Sequence, residues 1–167
     1  MVSTVADTLT ERATAAAGSV VDPEVPVLTI ADLGVLRDVT VDAEGRVTVT
    51  VTPTYSGCPA MDVIRSDVEK ALRTVGFFQI EIHTVLSPAW TTDWMTERGR
   101  RALSDYGIAP PQPRGPTGGP VLVSLSVRCP QCDSPDTREL SRFGSTACKS
   151  MWACNACLEP FDHFKAF

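Results

Sequence analysis

A strand gives way to a helix at Pro53-Thr54-Tyr55-Ser56-Gly57-Cys58-Pro59-Ala60-Met61-Asp62. Before it, residues 46–52 alternate valine with other residues, which predicts a half-buried β-strand. After it, apolar residues recur at the spacing of one helix face, namely Ile64, Val68, Ala71, Leu72 and Val75. Pro59 suits the first helical position, because the N–H that proline lacks would have no intrahelical partner there. We therefore expect a strand–turn–helix unit at the centre of the N-terminal half.

Cys58 is expected at or beside the N-cap of that helix. Unpaired backbone N–H groups and the positive end of the helix dipole would favour its thiolate there, which is the form that binds metals. Gly57 allows a sharp turn that leaves the sulfur approachable. The alternative is a small buried cysteine that only packs in the turn.

The composition is that of a globular protein, with 167 residues of which 43% are hydrophobic and 21% charged. A net charge of -5 and a pI near 5.0 argue against a general nucleic-acid binder. The N-terminus does not resemble a secretion signal and no apolar run approaches a membrane span, so we expect a soluble cytoplasmic protein. In that compartment, six cysteines indicate metal ligands or reactive thiols before disulfides.

The order of elements predicts an α+β domain over residues 1–109, with helices on one face of a small three-stranded sheet. The expected elements are a helix over 4–17, strands over 35–41 and 46–52, the helix after Pro59, a strand over 77–85 and a helix from Thr92 to Gly107. The inward side chains of the third strand are predicted to be Phe78, Ile80, Ile82 and Thr84. Residues 110–120 are rich in proline and glycine, which predicts a linker.

The segment 121–167 is too short to depend on a hydrophobic core alone. It contains two Cys-x-x-Cys pairs, Cys129 with Cys132 and Cys154 with Cys157. Two such pairs separated by short strands are the usual arrangement that brings four thiolates to one tetrahedral Zn²⁺. We predict a β-rich zinc ribbon with strands over 121–127, near 137–140 and at 151–152. Four thiolates leave no open coordination position, so the metal would be structural; iron and a redox dithiol pair are the alternatives.

Two cysteines, Cys58 and Cys148, lie outside those pairs. Cys148 occupies a small-residue loop, where it is either a bystander thiol or an alternative zinc ligand. A sharper hypothesis places Cys148 opposite Cys58 across the linker, with Glu24 or Asp32 adding an oxygen ligand. The histidines are weaker candidates, and three aromatic residues of the tail are expected to pack on the ribbon or to form a docking patch, namely Phe161, Phe164 and Phe167.

Several motifs resemble the iron–sulfur-assembly domain of the SufT and MIP family. They are Asp22-Pro23-Glu24-Val25-Pro26, Asp32-Leu33-Gly34 and Thr52-Pro53-Thr54-Tyr55-Ser56-Gly57-Cys58-Pro59. Further motifs are similar to those of the D subunits of ring-1,2-phenylacetyl-CoA epoxidase systems, and they cover residues 86–94, 143–149 and 159–165 together with the four paired cysteines.

This resemblance implies an accessory subunit of aerobic phenylacetate breakdown that is not itself catalytic. In such systems a di-iron oxygenase subunit epoxidises the ring, and a reductase with flavin and an iron–sulfur centre supplies electrons. The resemblance implies that this chain matures or maintains the iron–sulfur or di-iron cofactors of those partners. Cys58 would then handle transient iron or a cluster, helped by Glu24 and Asp32.

Two other readings stay open. In the first, the chain is a non-catalytic zinc-ribbon adaptor that docks the oxygenase and reductase subunits, and Cys58 is structural. In the second, Cys58 and Cys148 form a thiol redox pair. Neither reading includes a nucleic-acid or membrane partner.

Overall fold

The computed structural model describes residues 2–112 and 127–166. The described residues fall into two compact units. The first contains the chain up to Trp90 and Trp94–Thr96, and the second contains Thr91–Asp93 and the chain from Glu97 onward. Within the described ranges, no helix has both the length and the apolar character that a membrane span needs. Most of the predicted linker at 110–120 and of the predicted strand at 121–127 lies outside the described residues.

The first unit is a three-stranded sheet with helices, as the sequence predicts. Its elements in chain order are α1 Val2–Gly18, α2 Ile30–Leu33, β1 Leu36–Val41, β2 Val47–Val51, α3 Ala60–Thr74 and β3 Ile80–Thr84. The strand order is β1-β2-β3, with β1 antiparallel and β3 parallel to β2. A hairpin joins the first two strands, and the Asp42 carboxylate stabilises its turn by accepting the N–H groups of Glu44 and Arg46.

The core of this unit lies between the sheet and the helices. β2 buries Val47, Val49 and Val51 completely, because alternate residues of a strand share one face. From the predicted face of α3, Ile64, Val68 and Leu72 are buried. Residues 52–59 connect β2 directly to α3. The turn that contains Cys58 is therefore anchored at both ends by elements that contribute side chains to the core.

One prediction about the third strand is wrong. Phe78 and Thr84 were expected to face inward, but Phe78 is 71% exposed and Thr84 is exposed as well. The buried aromatic residue is Phe77, over whose ring the Arg12 guanidinium lies 5.0 Å from the centroid. The strand begins only at Ile80, so its alternation does not extend back to the residues that follow α3. Ile80 and Ile82 are half-buried.

The second unit is β-rich. A 3-10 turn, Thr92–Trp94, which is shared between the two units, precedes α4 Glu97–Tyr106, and the strands are β4 Ile108–Ala109, β5 Thr137–Ser141, β6 Lys149–Cys154 and β7 Pro160–Phe164. The strand order is β4-β7-β6-β5, with β4 parallel to β7 and the other pairs antiparallel. Phe161 and Phe164 of β7 are buried, so these two tail aromatics do pack within the ribbon.

The boundary between the two structural units differs from the domain boundary that the composition predicts. Composition ends the first domain at residue 109, whereas the structure groups residues 97–109 with the ribbon. The reason is that Ile108 and Ala109 pair with Asp162 and His163 of β7. A two-residue strand has no alternation that a sequence pattern could reveal. The limits of independently folding domains stay a prediction.

Candidate functional site

The four paired cysteines converge in the second unit. Their sulfur atoms all lie within 4.8 Å of one another, and among the residues that the structure describes this is the one group of three or more Cys, His, Asp or Glu side chains close enough together to bind one metal ion. The Sγ atoms of Cys129 and Cys157 are 3.7 Å apart, and those of Cys132 and Cys154 are 3.6 Å apart. A tetrahedral metal with bonds of about 2.3 Å to sulfur would set these separations at about 3.8 Å. The donor set therefore fits a structural, four-coordinate metal.

Two turns of similar shape hold these cysteines. The residue after each Cys-x-x-Cys pair adopts a left-handed conformation, with φ of 59° at Asp133 and 66° at Leu158. In the first turn the N–H of Gln131 points at the sulfur of Cys129, and in the second the N–H of Cys157 points at the sulfur of Cys154, each at 3.4 Å. Such N–H groups stabilise negative charge on sulfur, so both turns are suited to thiolate ligands.

Without a cation, the four thiols cannot all ionise. The N–H of Cys157 and the neighbouring thiols lower the pKa of Cys154 to about 6. Although the N–H of Glu159 lowers the pKa of Cys157, burial and the neighbouring cysteines raise it to about 12. The first thiolate to form thus raises the pKa of the neighbouring thiols, because two negative charges so close together repel each other. A divalent cation would offset this repulsion.

Cys58 lies immediately before the N-cap of α3. The cap residue is Pro59, whose backbone is already helical, and Ala60 is the first residue of the helix. The N–H of Cys58 donates to the carbonyl of Tyr55, and its own carbonyl accepts the N–H of Met61, both at 3.3 Å. Gly57 has a φ of 86°, and a Cβ placed there would meet nothing within 4 Å. The turn is therefore open on the Gly57 side, while the Cys58 side chain is half-buried.

The expectation that Cys58 is ionised is wrong. Burial raises the pKa of its thiol, and the negative charges of Glu24 and Asp22 raise it further. The helix start acts in the predicted direction, since the N–H of Ala60 lowers the pKa, but this effect is the smaller one. Cys58 is consequently a protonated thiol at neutral pH when no cation is beside it.

Asp22 is a residue of this site that sequence reasoning missed. It is 6% exposed, and its Oδ1 accepts the N–H groups of Glu24 at 2.9 Å and Val25 at 2.8 Å. These bonds fix the loop that carries Glu24, so both carboxylates act on the Cys58 thiol. The available signal was the dipeptide Asp22-Pro23, because aspartate before proline favours a turn of this kind.

Both carboxylate oxygens of Asp32 take part in holding the fold. It is 5% exposed, and its two carboxylate oxygens accept the hydroxyl groups of Thr29 at 2.9 Å and Thr96 at 2.7 Å. Its N–H is in turn bound by the Thr29 hydroxyl, which caps α2. These bonds give Asp32 a structural role at the end of α2.

Cys148 is buried, and its sulfur lies 3.0 Å from the hydroxyl of Thr146. It belongs to the second unit and is not a member of the four-cysteine group. Its meeting with Cys58, which belongs to the first unit, stays a prediction. His83 is exposed on β3, where its Nε2 lies 3.5 Å from Glu81.

Two family models match the chain. One, described as the PaaD zinc beta ribbon domain, covers residues 114–165. The other, described as iron-sulfur cluster assembly protein, covers residues 10–82. The first match contains the four-cysteine group, and the second contains Cys58, Asp22 and Glu24.

Individual relatives agree with both matches. An Escherichia coli K12 protein named as the D subunit of 1,2-phenylacetyl-CoA epoxidase is 49% identical over 146 residues, which are 86% of this chain and 85% of the relative. An Fe-S protein maturation auxiliary factor of Porphyromonas gingivalis is 42% identical over 86 residues, or 51% of this chain and 81% of the relative. A crystal structure of a DUF59 domain from Bacillus anthracis superposes with a TM-score of 0.57 at 32% identity, covering 60% of this chain and 96% of that structure.

Proposed function

Because the chain belongs to the PaaD family, whose Escherichia coli relative is named as the D subunit of 1,2-phenylacetyl-CoA epoxidase, we propose that it delivers iron to partner subunits. Iron, either bare or in a cluster, is the cargo and not a resident cofactor. The partners are the di-iron oxygenase and the iron–sulfur and flavin reductase of such a system. Cys58 is the residue that holds the cargo.

The observation that supports this role most strongly is that the charges of two carboxylates, Glu24 and Asp22, act on the Cys58 thiol. Burial, together with the negative charges of Glu24 and Asp22, raises the pKa of the thiol and keeps it protonated when no cation is present. A bound cation reverses their effect, because it attracts both carboxylates and favours the thiolate over the thiol. Iron binding therefore releases one proton from Cys58, and the sulfur takes a proton back when the iron leaves. No electron changes hands in either step.

The small number of donors suits transfer rather than storage. A thiolate and a carboxylate are ligands that iron accepts, but together they fill only part of its coordination sphere. Ligands of an acceptor protein could then occupy the open positions and displace the sulfur. Glu24 is the oxygen donor of this proposal, while Asp22 positions it and Asp32 braces the end of α2.

The ribbon has a separate role in this proposal. Its structural metal is Zn²⁺, because four thiolates in a closed tetrahedron are the usual structural zinc site and the matching family description names zinc. Zinc would hold the ribbon together and keep it available for docking a partner. It would not take part in iron transfer.

Direct metal binding tests the proposal. We expect the full chain, purified without oxygen, to contain one zinc ion and to bind Fe²⁺ reversibly at a second site. Cys58→Ser and Glu24→Gln should each weaken Fe²⁺ binding about tenfold or more while zinc stays at one per chain. Glu44→Gln, which removes an exposed acid in the β1–β2 turn, is the matched control. Equal Fe²⁺ affinity in wild type and Cys58→Ser would exclude the delivery role.

A second candidate, the non-catalytic adaptor, is favoured by the protonated state of Cys58. Co-expression with the partner subunits separates the two. In the adaptor reading, Cys58→Ser would leave the iron content of the partners unchanged, and only disruption of the ribbon would prevent their association. In the delivery reading, Cys58→Ser lowers their iron content while association persists.

A further inference from the structure

The ribbon sheet contains a cavity that is distinct from the metal centre. Its volume is about 390 Å³, and it lies on the face of β6 and β7 that presents Ser150, Trp152 and His163. Ser150 and His163 are direct neighbours across the two strands, and the Trp152 and His163 rings meet edge to face at 5.9 Å. The cavity is widely open to solvent, and its volume lies at the lower end of the range of small-ligand sites.

The walls are mainly apolar and aromatic. Trp152 forms one side, and Phe143, which is 73% exposed, stands at the rim. The Phe143 ring is therefore accessible to a bound molecule. The walls therefore suit a flat apolar group that can stack on the two rings.

The rim also contains two cations, Arg142 and Lys165. The Lys165 ammonium is fixed by a 3.1 Å bond to the carbonyl of Arg142 and by the Phe143 ring, whose centroid is 5.2 Å away. That bond uses one of its three protons, and the Arg142 guanidinium has no partner among the described residues. Glu139 is the one acid in the lining, so two cations face one anion.

Polar groups at the floor complete the cavity. The Trp152 indole N–H donates to the Ser150 hydroxyl at 3.0 Å, and that hydroxyl lies 3.3 Å from Nδ1 of His163. Nε2 of His163 is buried, and within the described part of the chain it has no hydrogen-bond partner. Burial lowers the pKa of His163 to about 4, so the ring is neutral at pH 7 and adds no charge to the lining.

We propose that this cavity binds a carboxylate attached to a ring-sized apolar group. The apolar group would lie against Trp152 and Phe143, and the carboxylate would face Arg142 and Lys165. A guanidinium can bind a carboxylate through two parallel hydrogen bonds, which is why it is the main anchor of the proposal. Such a ligand could be a small aryl acid or the C-terminal residue of a partner protein, since both offer the same chemistry.

Two pairs of probes distinguish those sources. Phenylacetate is compared with phenylacetamide, and a tripeptide ending in phenylalanine with a free carboxylate is compared with its amide. Binding to the full zinc-containing chain is followed through the indole NMR signal of Trp152. We expect one of the two acids to bind with a dissociation constant of about 1 mM or lower, and its neutral amide to bind at least about tenfold more weakly.

Variants test the geometry. Arg142→Gln should weaken binding of the acid about tenfold or more, and Lys165→Met should weaken it less. Arg138→Gln is the matched control, because Arg138 lies on β5, which ends just before Arg142, but bonds to Asn155 and does not line the cavity. Binding of phenylacetate supports a small-molecule site, and binding of the tripeptide alone supports a docking site. The proposal would be overturned if neither acid bound at a concentration of about 20 times the expected dissociation constant. It would also be overturned if Arg142→Gln bound the acid as tightly as wild type. Neither result bears on Fe²⁺ binding at Cys58.

Discussion

The indole N–H of Trp90 donates a 3.0 Å hydrogen bond to the carbonyl of Leu33, which lies 57 positions earlier in the chain. Close by, the Arg37 guanidinium lies 3.6 Å from the centroid of the Trp94 ring. Trp90 and Trp94 of the motif at 86–94 therefore pack against the motif at 32–34 and against Arg37, at the end of α2. Their shared role is structural, since the bond and the stacking join segments that are far apart in the chain.

Gly34 should be the least replaceable of these packed residues. Its φ is 77°, and an added Cβ would lie 2.7 Å from both the Cβ and the carbonyl oxygen of Trp94. Left-handed backbone costs an alanine about 1–2 kcal/mol, and overpacking adds about 1–3 kcal/mol. We expect Gly34→Ala to lower the free energy of unfolding by about 2–5 kcal/mol in urea denaturation.

Gly45→Ala is the control for this prediction. Gly45 has a φ of 81°, and a Cβ there would meet nothing within 4 Å. It should show the backbone cost alone, about 1–2 kcal/mol. An equal decrease in the free energy of unfolding in the two variants would mean that the close contact between Gly34 and Trp94 does not constrain the fold.

Sequence patterns sufficed for the elements with strong periodicity. The hairpin of β1 and β2, the apolar face of α3 and the convergence of the four cysteines all follow from alternation, helical spacing and ligand spacing. Phe77 and β4 could not be read in this way. The first packs in a turn after α3, and the second is a two-residue strand whose partner lies more than 50 positions later. Both depend on tertiary contacts that leave no local pattern.

The site around Cys58 shows the same limit in its electrostatics. The position beside the helix start was correctly predicted, as was the direction in which a backbone N–H would act. The sign of the net pKa shift was not, because it depends on burial and on Asp22 and Glu24, which lie more than 30 positions away in the sequence. The local sequence therefore predicts the effect of the helix start on Cys58, but not the opposing effects of burial and of the two distant carboxylates.

His163 should make the ribbon sensitive to acid. Its pKa is about 4 in the folded chain and about 6.5 when unfolded, so the folded state favours the neutral ring. This contribution to stability is complete above pH 6.5 and is lost as the pH falls through 4. We expect wild type to lose about 2 kcal/mol more than His163→Gln between pH 7 and pH 5, measured by urea denaturation.

His83→Gln is the matched control, because His83 is exposed on β3. Its pH dependence should follow that of wild type. A comparison between variants with the same four cysteines also cancels the effect of acid on metal binding. An unchanged pH dependence in His163→Gln would show that burial of this ring does not shift its titration.

Removal of the structural metal should unfold the ribbon selectively. Cys129 and Cys154 are part of its small core, in contact with Ala109, Val127 and Phe161. A strong chelator, or Cys154→Ser, should make the second unit susceptible to protease while the helices α1 and α3 keep their circular dichroism signal. Cys148→Ser should leave the metal in place, since Cys148 is outside the four-cysteine group. Full metal content in Cys154→Ser would contradict the assigned ligand set.

The reactivity of Cys58 gives the sharpest test of its electrostatics. Burial and the charges of Glu24 and Asp22 raise the pKa of its thiol above 9.0, so alkylation should be slow at pH 7 and should accelerate only in alkaline solution. Removing one negative charge lowers that pKa, so Glu24→Gln should react severalfold faster than wild type at pH 8.

Glu44→Gln, which removes an exposed acid from the β1–β2 turn, should not change the rate. The measurement is a pH–rate profile with iodoacetamide, in which the peptide that contains Cys58 is followed by mass spectrometry. A profile with its midpoint near pH 7, or one that Glu24→Gln leaves unchanged, would show that the thiol is not under the control of these carboxylates, and the cation-triggered ionisation of Cys58 would lose its basis.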